Sequence, residues 1–400
     1  MPEQSSRLEI LEPCLSPEWR FILRNLLIYR HQLFRPSEGF IVSQARRLQE
    51  FRPVYVGREL SGTAPSGARV CTLESARRLD VLLYMLRRDP RPILREVRSL
   101  EPVMIHAHFG VEGVYALEVA RRLRIPLVTT FHGFDATTSR TDLLRSGHVS
   151  WVHYLLGRRA LAQGGDLFVC VSEFIRERVL RLGFPPERCV THYIGVDVEG
   201  IAGRSAPSHR REGGREPIVL HVARLVEIKG TRYLLEAFAR VIASGVDARL
   251  VVIGDGPLRS RLEAYARSLG VCERATFLGT LPNSIVLDRL RDAAVLALPS
   301  VTIASGAVEG LGLVLLEAAA AGVPAVATRH GGIPEAVVDG QTGVLIEERD
   351  VDALADALRT LLTNEGERAA MGAAARDYVA RKFDVNRQTA ALESLYESLV

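Results

Sequence analysis

The chain has 400 residues, of which 47% are apolar and 24% are charged, and its formal net charge is +4. A chain of this length is too long for one hydrophobic core, so we expect a globular protein with two domains. The slight positive charge argues against a nucleic-acid-binding protein, and no apolar run is long enough to argue for an integral membrane protein.

The thiols and the N-terminus point to a cytoplasmic protein. The five cysteines include no C-x-x-C pair, which favours reduced thiols over disulfides or a zinc site. Residues 1–23 show no clear periodicity and are predicted to be an extension, without the basic start and apolar core of a signal peptide. The arginine-rich residues 20–35 either form a solvated face or could dock on the inner face of an anionic membrane.

Apolar strands alternate with helices through the first half of the chain. Helices are predicted at residues 39–49 and 111–123, and Ser172 is the predicted N-cap of a further helix. This alternation predicts a doubly wound parallel sheet. The predicted strands are 25–29, 52–57, 103–106, 126–130, 166–171 and 188–193.

A polar segment at residues 200–216, rich in Gly, Ser and Arg, is the predicted linker between domain 1–199 and domain 217–384. A last helix, within 385–400, could cross back to the first domain. Two doubly wound halves would enclose a ligand cleft between the carboxyl ends of their sheets. The strands predicted in the second half are 218–222, 249–253, 276–278, 293–298, 325–328 and 343–346.

A small-residue loop, residues 299–312, joins the predicted strand 293–298 to an apolar helix, 313–321. Glycines at a helix start let a ligand approach the backbone, and the unpaired amides there suit phosphates or sugar hydroxyls. Two carboxylates eight residues apart bracket this site, which at a helical rise is roughly 12 Å. The second carboxylate projects from an apolar helix and needs a partner. The candidate residues are Glu309, Gly310, Leu311, Gly312 and Glu317; singly, each Glu is also explained as a solvated acid.

Two cations follow the first strand of the second half. Arg224 and Lys229 could both reach one diphosphate, although two solvated loop cations would look the same. Gly254 and Gly256 follow the next strand, where they indicate either a nucleotide site or a tight strand-to-helix turn.

Histidines mark the ends of two strands in the first half. His132 is followed by Gly133, which permits close approach of a ligand, and by Asp135, which could orient the imidazole ring. A structural histidine is the alternative. His106 and His108 are expected on opposite faces of their strand and therefore not at one metal ion.

These motifs resemble those of the retaining glycosyltransferases of family 4, which have the two-domain GT-B fold. The resemblance covers residues 26–400. It implies that Glu309 contacts the donor sugar, that Glu317 holds the ribose, and that the amides of residues 310–312 serve the sugar and phosphates. It also implies a diphosphate clamp of Arg224 and Lys229, and it places His132 near the donor sugar. The nucleotide base would lie near Gly254, Gly256 and Leu278.

The loop Ser37-Glu38-Gly39-Phe40 is similar to a Ser-Glu-Thr-Phe loop of colanic-acid-like exopolysaccharide transferases, with Gly39 in place of Thr. In the family this loop approaches the pyrophosphate from the other domain. The resemblance implies a retaining, front-face transfer with His132, Glu309, Arg224 and Lys229 as catalytic residues.

The resemblance further implies a nucleotide-diphosphate-sugar as co-substrate, no cofactor and no metal, since no Asp-x-Asp box stands beside the phosphate site. The acceptor, on the first-domain side, would be a glycan, a lipid-linked sugar or a small molecule. The alternatives are a nucleotide-sugar epimerase, a phosphorylase and a non-catalytic nucleotide-sugar binder on the same fold.

Overall fold

A computed structural model of the chain describes residues 23–203 and 216–400, so most of the predicted extension and linker lie outside the described residues. Within that range there are two large parallel sheets, each covered by helices on both faces. The strands are nearly continuous apolar runs because both of their faces are buried. The predicted α/β fold of two doubly wound Rossmann-like domains, the GT-B arrangement, is confirmed.

The first domain has a seven-stranded sheet in the order β5-β3-β1-β6-β7-β8-β9, and a separate pair of short strands, β2 and β4. Its strands are β1 (Arg24–Tyr29), β2 (Gln32–Leu33), β3 (Phe51–Gly57), β4 (Glu59–Leu60), β5 (Arg69–Thr72), β6 (Met104–His108), β7 (Leu127–Phe131), β8 (Leu167–Cys170) and β9 (Cys189–Thr191). Its helices are α1 (Gly39–Ala45), α2 (Arg78–Arg87), α3 (Arg91–Val97), α4 (Gly110–Leu123), α5 (Phe134–Thr137), α6 (Arg140–Arg145), α7 (Val149–Gly164) and α8 (Glu173–Arg181).

The second domain has a six-stranded sheet in the order β12-β11-β10-β13-β14-β15. Its strands are β10 (Ile218–Val222), β11 (Arg249–Ile253), β12 (Ala275–Gly279), β13 (Val295–Leu298), β14 (Ala325–Thr328) and β15 (Gly343–Ile346). The helices from the domain junction onward are α9 (Val198–Ala202), α10 (Thr231–Ala243), α11 (Arg259–Ser268), α12 (Asn283–Asp292), α13 (Leu313–Ala320), α14 (Ile333–Ala336), α15 (Val351–Thr363), α16 (Glu365–Lys382) and α17 (Val385–Glu397).

The C-terminal helix α17 packs against the first domain. Leu392 and Tyr396 are buried in the same core cluster as Leu26 and Met104 of the first sheet. In the other direction, Ile201 of α9 packs in the core of the second domain. The chain therefore connects the two domains in both directions.

The helix predicted at residues 39–49 ends early, at Ala45. The amides of Gln49 and Glu50 donate instead to Oε1 of Glu393 on α17, at 2.7 and 2.9 Å. A carboxylate from more than 340 positions away thus replaces the helical acceptors, which the local pattern could not reveal. Ser172 caps α8 as predicted, since its hydroxyl accepts from the amide of Ile175 at 3.2 Å.

Within residues 23–203 and 216–400, no helix combines the length and the apolarity that crossing a bilayer needs.

Candidate active site in the interdomain cleft

The loop between β13 and α13 lies at the contact between the two domains. A Cβ on Gly310 would stand 2.1 Å from the carbonyl oxygen of His132, and the Gly310 carbonyl accepts a hydrogen bond from Ser172 Oγ at 2.7 Å. Glycine is required there because the backbones of the two domains meet. The sequence predicted that a ligand approaches the backbone at the glycines of this loop. At Gly310, the group that approaches is the backbone of the first domain.

The residues before α13 are not helical. Gly312 has a φ of +81° and precedes the first helical residue, Leu313. The estimate of roughly 12 Å between Glu309 and Glu317 assumed a continuous helix, and that premise was wrong. The amides of Leu311 and Gly312 donate to no protein acceptor within the described residues, so they are free to bind a ligand.

Glu309 forms an ion pair with Lys229. Gly230 makes this contact possible, because it adopts a φ of +64° and a Cβ there would stand 1.8 Å from the carbonyl of Pro299. The loop that carries Lys229 therefore lies directly on the loop that carries Glu309. Burial acts to raise the pKa of Glu309, but Lys229, His330 and Ser300 together outweigh it and the pKa is lowered, so the carboxylate is ionised at neutral pH.

Arg224 lies in the same β10–α10 segment as Lys229, five positions earlier. Its side chain is exposed, and no acidic partner contacts it within the described residues. The segment thus offers one cation already held by a carboxylate and a second cation that is free for a ligand.

Glu317 projects from the otherwise apolar helix α13 and is partly buried. Burial raises its pKa to about 7. No donor contacts its carboxylate within the described part of the chain, so no side chain or amide there supplies the partner that a half-buried carboxylate needs.

Gly254 and Gly256 have a structural role. A Cβ on Gly254 would stand 1.9 Å from the Ala223 carbonyl, and one on Gly256 would stand 2.5 Å from that of Leu225. These glycines let the turn after β11 pack against the backbone of the residues immediately before and after Arg224, and this contact positions the loop that carries Arg224. Leu278, on β12, is 37% exposed and available for contact with a ligand.

His132 lies at the end of β7 and lines the first-domain side of the same contact. Its Nε2 lies 3.1 Å from Nδ1 of His108, and its Nδ1 is buried with no partner in the described residues. The ring lies against Phe109 and Phe40, with centroid distances of 4.4 and 5.2 Å. Burial lowers the pKa of His132 well below the usual value, so the ring is neutral.

Asp135 does not contact the ring of His132, so the predicted orienting role was wrong. Its Oδ1 accepts from the backbone amides of His132 and Gly133, at 3.2 and 2.9 Å, and its Oδ2 accepts from the amide of Gly110. A short aspartate side chain in a turn bonds nearby amides more readily than a distant ring. Asp135 therefore shapes the turn that presents the histidine.

His106 and His108 lie on the same face of β6, so the prediction of opposite faces was wrong. Their rings stack with centroids 4.3 Å apart, because side chains two positions apart in a strand point the same way. His108 stacks in turn on His132, at 5.3 Å. No group of His, Cys, Asp and Glu side chains suited to a metal ion occurs in residues 23–203 and 216–400.

Gly39 is the first residue of α1, and a Cβ there would have no atom within 4 Å. The preceding Glu38 accepts two hydrogen bonds of 2.9 Å from the buried Arg30, which also pairs with Glu112. No local pattern indicates this cluster, because Glu112 lies 82 positions from Arg30. Arg30 is buried, Arg24 pairs with Glu397 and the exposed Arg35 lies 3.9 Å from Glu38, so each arginine in the described part of residues 20–35 has an acidic partner.

Glu335 joins the two domains and was also missed. Its carboxylate accepts from the amides of Glu173 and Phe174, at 2.8 and 2.9 Å, and from the hydroxyl of Tyr193 at 3.0 Å. A carboxylate of the second domain thus caps the N-terminus of α8 in the first. Its partners lie 142 to 162 positions away along the chain, which no local pattern reveals.

Two family models match this chain side by side. Residues 40–199 match glycosyltransferase family 4, and residues 206–378 match the glycosyl transferases group 1. Among similar proteins, WcaL of Salmonella typhimurium, which is named as a colanic acid biosynthesis glycosyltransferase, is 34% identical over 302 residues, or 72% of this chain and 69% of WcaL. A GDP-mannose-dependent phosphatidylinositol monomannoside mannosyltransferase of Mycolicibacterium smegmatis is 36% identical, over 62% of this chain and 68% of that enzyme.

Solved structures share the fold. The structure of HepE from Anabaena in complex with UDP and glucose superimposes with a TM-score of 0.77 at 19% identity, covering 94% of this chain and 100% of that one. A sucrose-phosphate synthase of Thermosynechococcus elongatus gives 0.74, also at 19% identity, over 94% of this chain and 99% of that one.

Proposed function

The chain belongs to glycosyltransferase family 4 and is a glycosyltransferase that uses a nucleotide-sugar donor, and from that premise we propose a retaining, metal-independent transfer of the sugar to an acceptor hydroxyl. The observation that carries the proposal is the Lys229–Glu309 ion pair together with Arg224, which lies five positions before Lys229 after the first strand of the second sheet and has no acidic partner among the described residues.

The donor diphosphate binds, in this proposal, between Arg224 and Lys229. Lys229 is held in place by Glu309, and Arg224 has no competing carboxylate in the described residues. The free amides of Leu311 and Gly312 add neutral donors. Together these groups stabilise the negative charge that develops on the leaving diphosphate, which is where electrostatic catalysis is most effective.

Glu317 would hold the ribose. Its carboxylate could accept hydrogen bonds from the two neighbouring ribose hydroxyls. Burial raises the pKa of Glu317, and hydrogen bonds from these hydroxyls would favour the ionised form and so lower the pKa again. Leu278 and the turn at Gly254 and Gly256 would lie beside the base. On the other side of the cleft, the neutral His132 would offer its unpartnered Nδ1 to the donor sugar, and Gly39 would stand at the loop facing the pyrophosphate.

The reaction proposed is a front-face displacement. The bond from the anomeric carbon to the phosphate oxygen breaks, and the acceptor oxygen attacks from the same side, so the configuration is retained. The acceptor proton passes to the departing phosphate oxygen. Arg224 and Lys229 supply the positive charge that this mechanism needs, so we propose that no metal ion or other cofactor takes part.

The acceptor proposed is a glycan or lipid-linked intermediate of exopolysaccharide biosynthesis, at the cytoplasmic face of the membrane. The support for it is the similarity to a protein named for colanic acid biosynthesis. Glycosylation of a small natural product is the alternative that remains from the sequence.

The test is binding and slow hydrolysis of a panel of nucleotide-sugars, with the wild type and Glu317→Ala, in buffer with and without a chelator. We expect one donor to bind and be hydrolysed to the sugar of unchanged anomeric configuration, unaffected by the chelator, and the variant to lose affinity. Inverted product, or activity that a chelator abolishes and a divalent ion restores, would contradict the mechanism. An epimerised donor would identify the other enzyme class.

A further inference from the structure

Large apolar side chains are exposed on one side of the first domain. Six of the ten such side chains in the described residues lie on α2, α6 and α7, and Leu156 and Leu79 are 72% and 63% exposed. We call this surface the leucine face. It consists of Leu79, Leu82, Leu86, Leu144, Val149 and Leu156.

Helix α2 carries an apolar stripe that faces away from the core. Leu79, Leu82 and Leu86 recur at i, i+3 and i+7, so they lie on one side of the helix. The buried residue of α2 is Tyr84, on the opposite side. A helix that needed only to cover its own domain would carry polar residues on its outer side, so the stripe indicates an interaction surface.

The apolar residues of α7 continue the same surface. The hydroxyl of Tyr115 donates to the carbonyl of Met85 in α2 at 3.2 Å and lies 2.8 Å from His153 in α7, which joins the two helices. Along α7, Val149 and Leu156 are seven positions apart and therefore share one side. The two helices together present one broad apolar face.

Unpaired arginines surround the leucine face. Each of them is exposed, and none has an acidic partner within the described residues. The nearest carboxylate on α2, that of Asp80, is taken by Arg95 at 2.9 Å. A second copy of the chain would place these arginines against each other, whereas an anionic surface would complement them. The arginines are Arg77, Arg78, Arg87, Arg145 and Arg159.

The leucine face begins beside the cleft. Helix α2 follows β5, and α6 and α7 follow β7, so all start from the carboxyl edge of the first sheet. At that edge, just before α6, the amide of Ser139 donates to the carbonyl of Ser305 of the second domain at 2.9 Å. A group held at the leucine face is thus near the opening between the domains.

We propose that the leucine face docks the protein on an anionic phospholipid bilayer, with the leucines in the acyl boundary and the arginines at the headgroups. A bilayer held there presents a lipid-borne acceptor to the cleft, and this consequence rests on the proposed function. The docking itself is a binding property that does not require catalysis. It uses a different surface from the one suggested by residues 20–35.

The test is flotation of the full chain with vesicles of phosphatidylcholine alone or of phosphatidylcholine with phosphatidylglycerol. The variant is Leu82→Gln with Leu156→Gln, and the matched control is Leu60→Gln with Ile285→Gln, two residues that are each 41% exposed elsewhere on the surface. We expect the wild type and the control to bind the anionic vesicles, and the leucine-face variant to lose about tenfold or more in partitioning. Equal binding of all three proteins, or none to anionic vesicles, would overturn the proposal.

Two further measurements separate the other occupants and the proposed function. The wild type should sediment as the same species as the leucine-face variant; a dimer that this variant dissociates would identify a contact between copies and overturn the proposal. Arg78→Gln with Arg87→Gln should weaken anionic binding and its salt dependence. Donor hydrolysis without acceptor should be the same in the leucine-face variant as in the wild type. If neither protein hydrolysed a donor, that result would contradict only the proposed function.

Discussion

On the first-domain side of the cleft the imidazoles of His108 and His132 are buried and neutral, whereas the second domain presents charged groups. His108 and His132 have pKa values lowered by burial and share a hydrogen bond. Across the contact, Glu309 is ionised against Lys229, and Arg224 is exposed to solvent. The two sides meet where Gly310 touches His132.

This difference indicates that the two sides of the cleft bind different parts of the donor. Charged groups that are exposed or paired through a movable side chain suit a ligand that carries charge, such as a diphosphate. Neutral imidazole and aromatic rings suit the uncharged hydroxyls and faces of a sugar. The comparison predicts that changes on the second-domain side alter binding without unfolding, and that pH acts differently on the two sides.

The largest effect is expected from Arg224→Ala. We expect kcat/KM to fall by about 10²–10³, the cost of removing one charge-stabilising donor. Because the side chain is exposed and unpartnered in the described residues, the free energy of unfolding should change by no more than about 0.5 kcal/mol. Donor hydrolysis and chemical denaturation measure the two quantities.

Arg267→Ala is the control, since Arg267 is an exposed arginine in the last turn of α11, at the other end of the domain. If Arg224→Ala and this control were equally active, Arg224 would not contribute to donor binding or catalysis, and the proposed role of the charged second-domain side would be contradicted.

The next effect concerns the contact between the domains. Glu335→Ala removes the acceptor for two amides of α8 and for Tyr193, so we expect the arrangement in which the two domains touch to lose about 1–2 kcal/mol relative to separated domains, or about 5–30-fold in population. Small-angle scattering without ligand should show a larger radius of gyration. Glu347→Ala, at an exposed carboxylate, should leave the radius unchanged; a matching increase there would show that the cap is not what holds the domains.

The two candidate-site carboxylates, Glu309 and Glu317, should affect the pH dependence of stability with opposite signs. Burial raises the pKa of Glu317 to about 7, so the folded state retains a proton that the unfolded chain releases, and stability is lost as the pH rises from about 4.5 through 7. Glu317→Gln should therefore be more stable than the wild type at pH 8, by roughly 1–2 kcal/mol, with the advantage gone at pH 4.

Glu309→Gln is the contrast, because Lys229 lowers the pKa of Glu309 and its contribution is present at neutral pH and lost in acid. It should be less stable than the wild type at pH 7. Thermal unfolding of both variants from pH 4 to pH 8 measures this contrast. If the stability of the two variants, relative to the wild type, changed in the same direction with pH, the comparison would be contradicted.

The smallest effect is expected at Gly39. Its φ is −59° and a Cβ there meets no atom within 4 Å, so Gly39→Ala should leave the fold intact and raise stability by about 0.4–1 kcal/mol. Gly310→Ala should be harmful, because its Cβ would stand 2.1 Å from the His132 carbonyl. A large loss of stability in Gly39→Ala, measured by thermal unfolding, would mean that the loop is packed differently.

Much of the fold could be predicted from local pattern. The strands of the second sheet begin and end within two residues of their predicted positions, because each is an apolar run bounded by polar turns. Helices α2 and α7 were not predicted, since their outer sides carry leucines and the amphipathic pattern is blurred. The error at His106 and His108 was one of reasoning, because the strand itself was predicted and its period places both on one face.

The sequence by itself determined the two doubly wound domains and the order of the candidate site residues, since strand periodicity, glycine turns and the spacing of Arg224, Lys229, Glu309 and Glu317 are properties of neighbouring positions. Only the tertiary structure decided what those residues touch. Gly310 faces His132, Glu335 caps α8, and Arg30 pairs with Glu112, across 178, 162 and 82 positions. Such contacts follow from how the packed elements meet in space, and no local pattern encodes them.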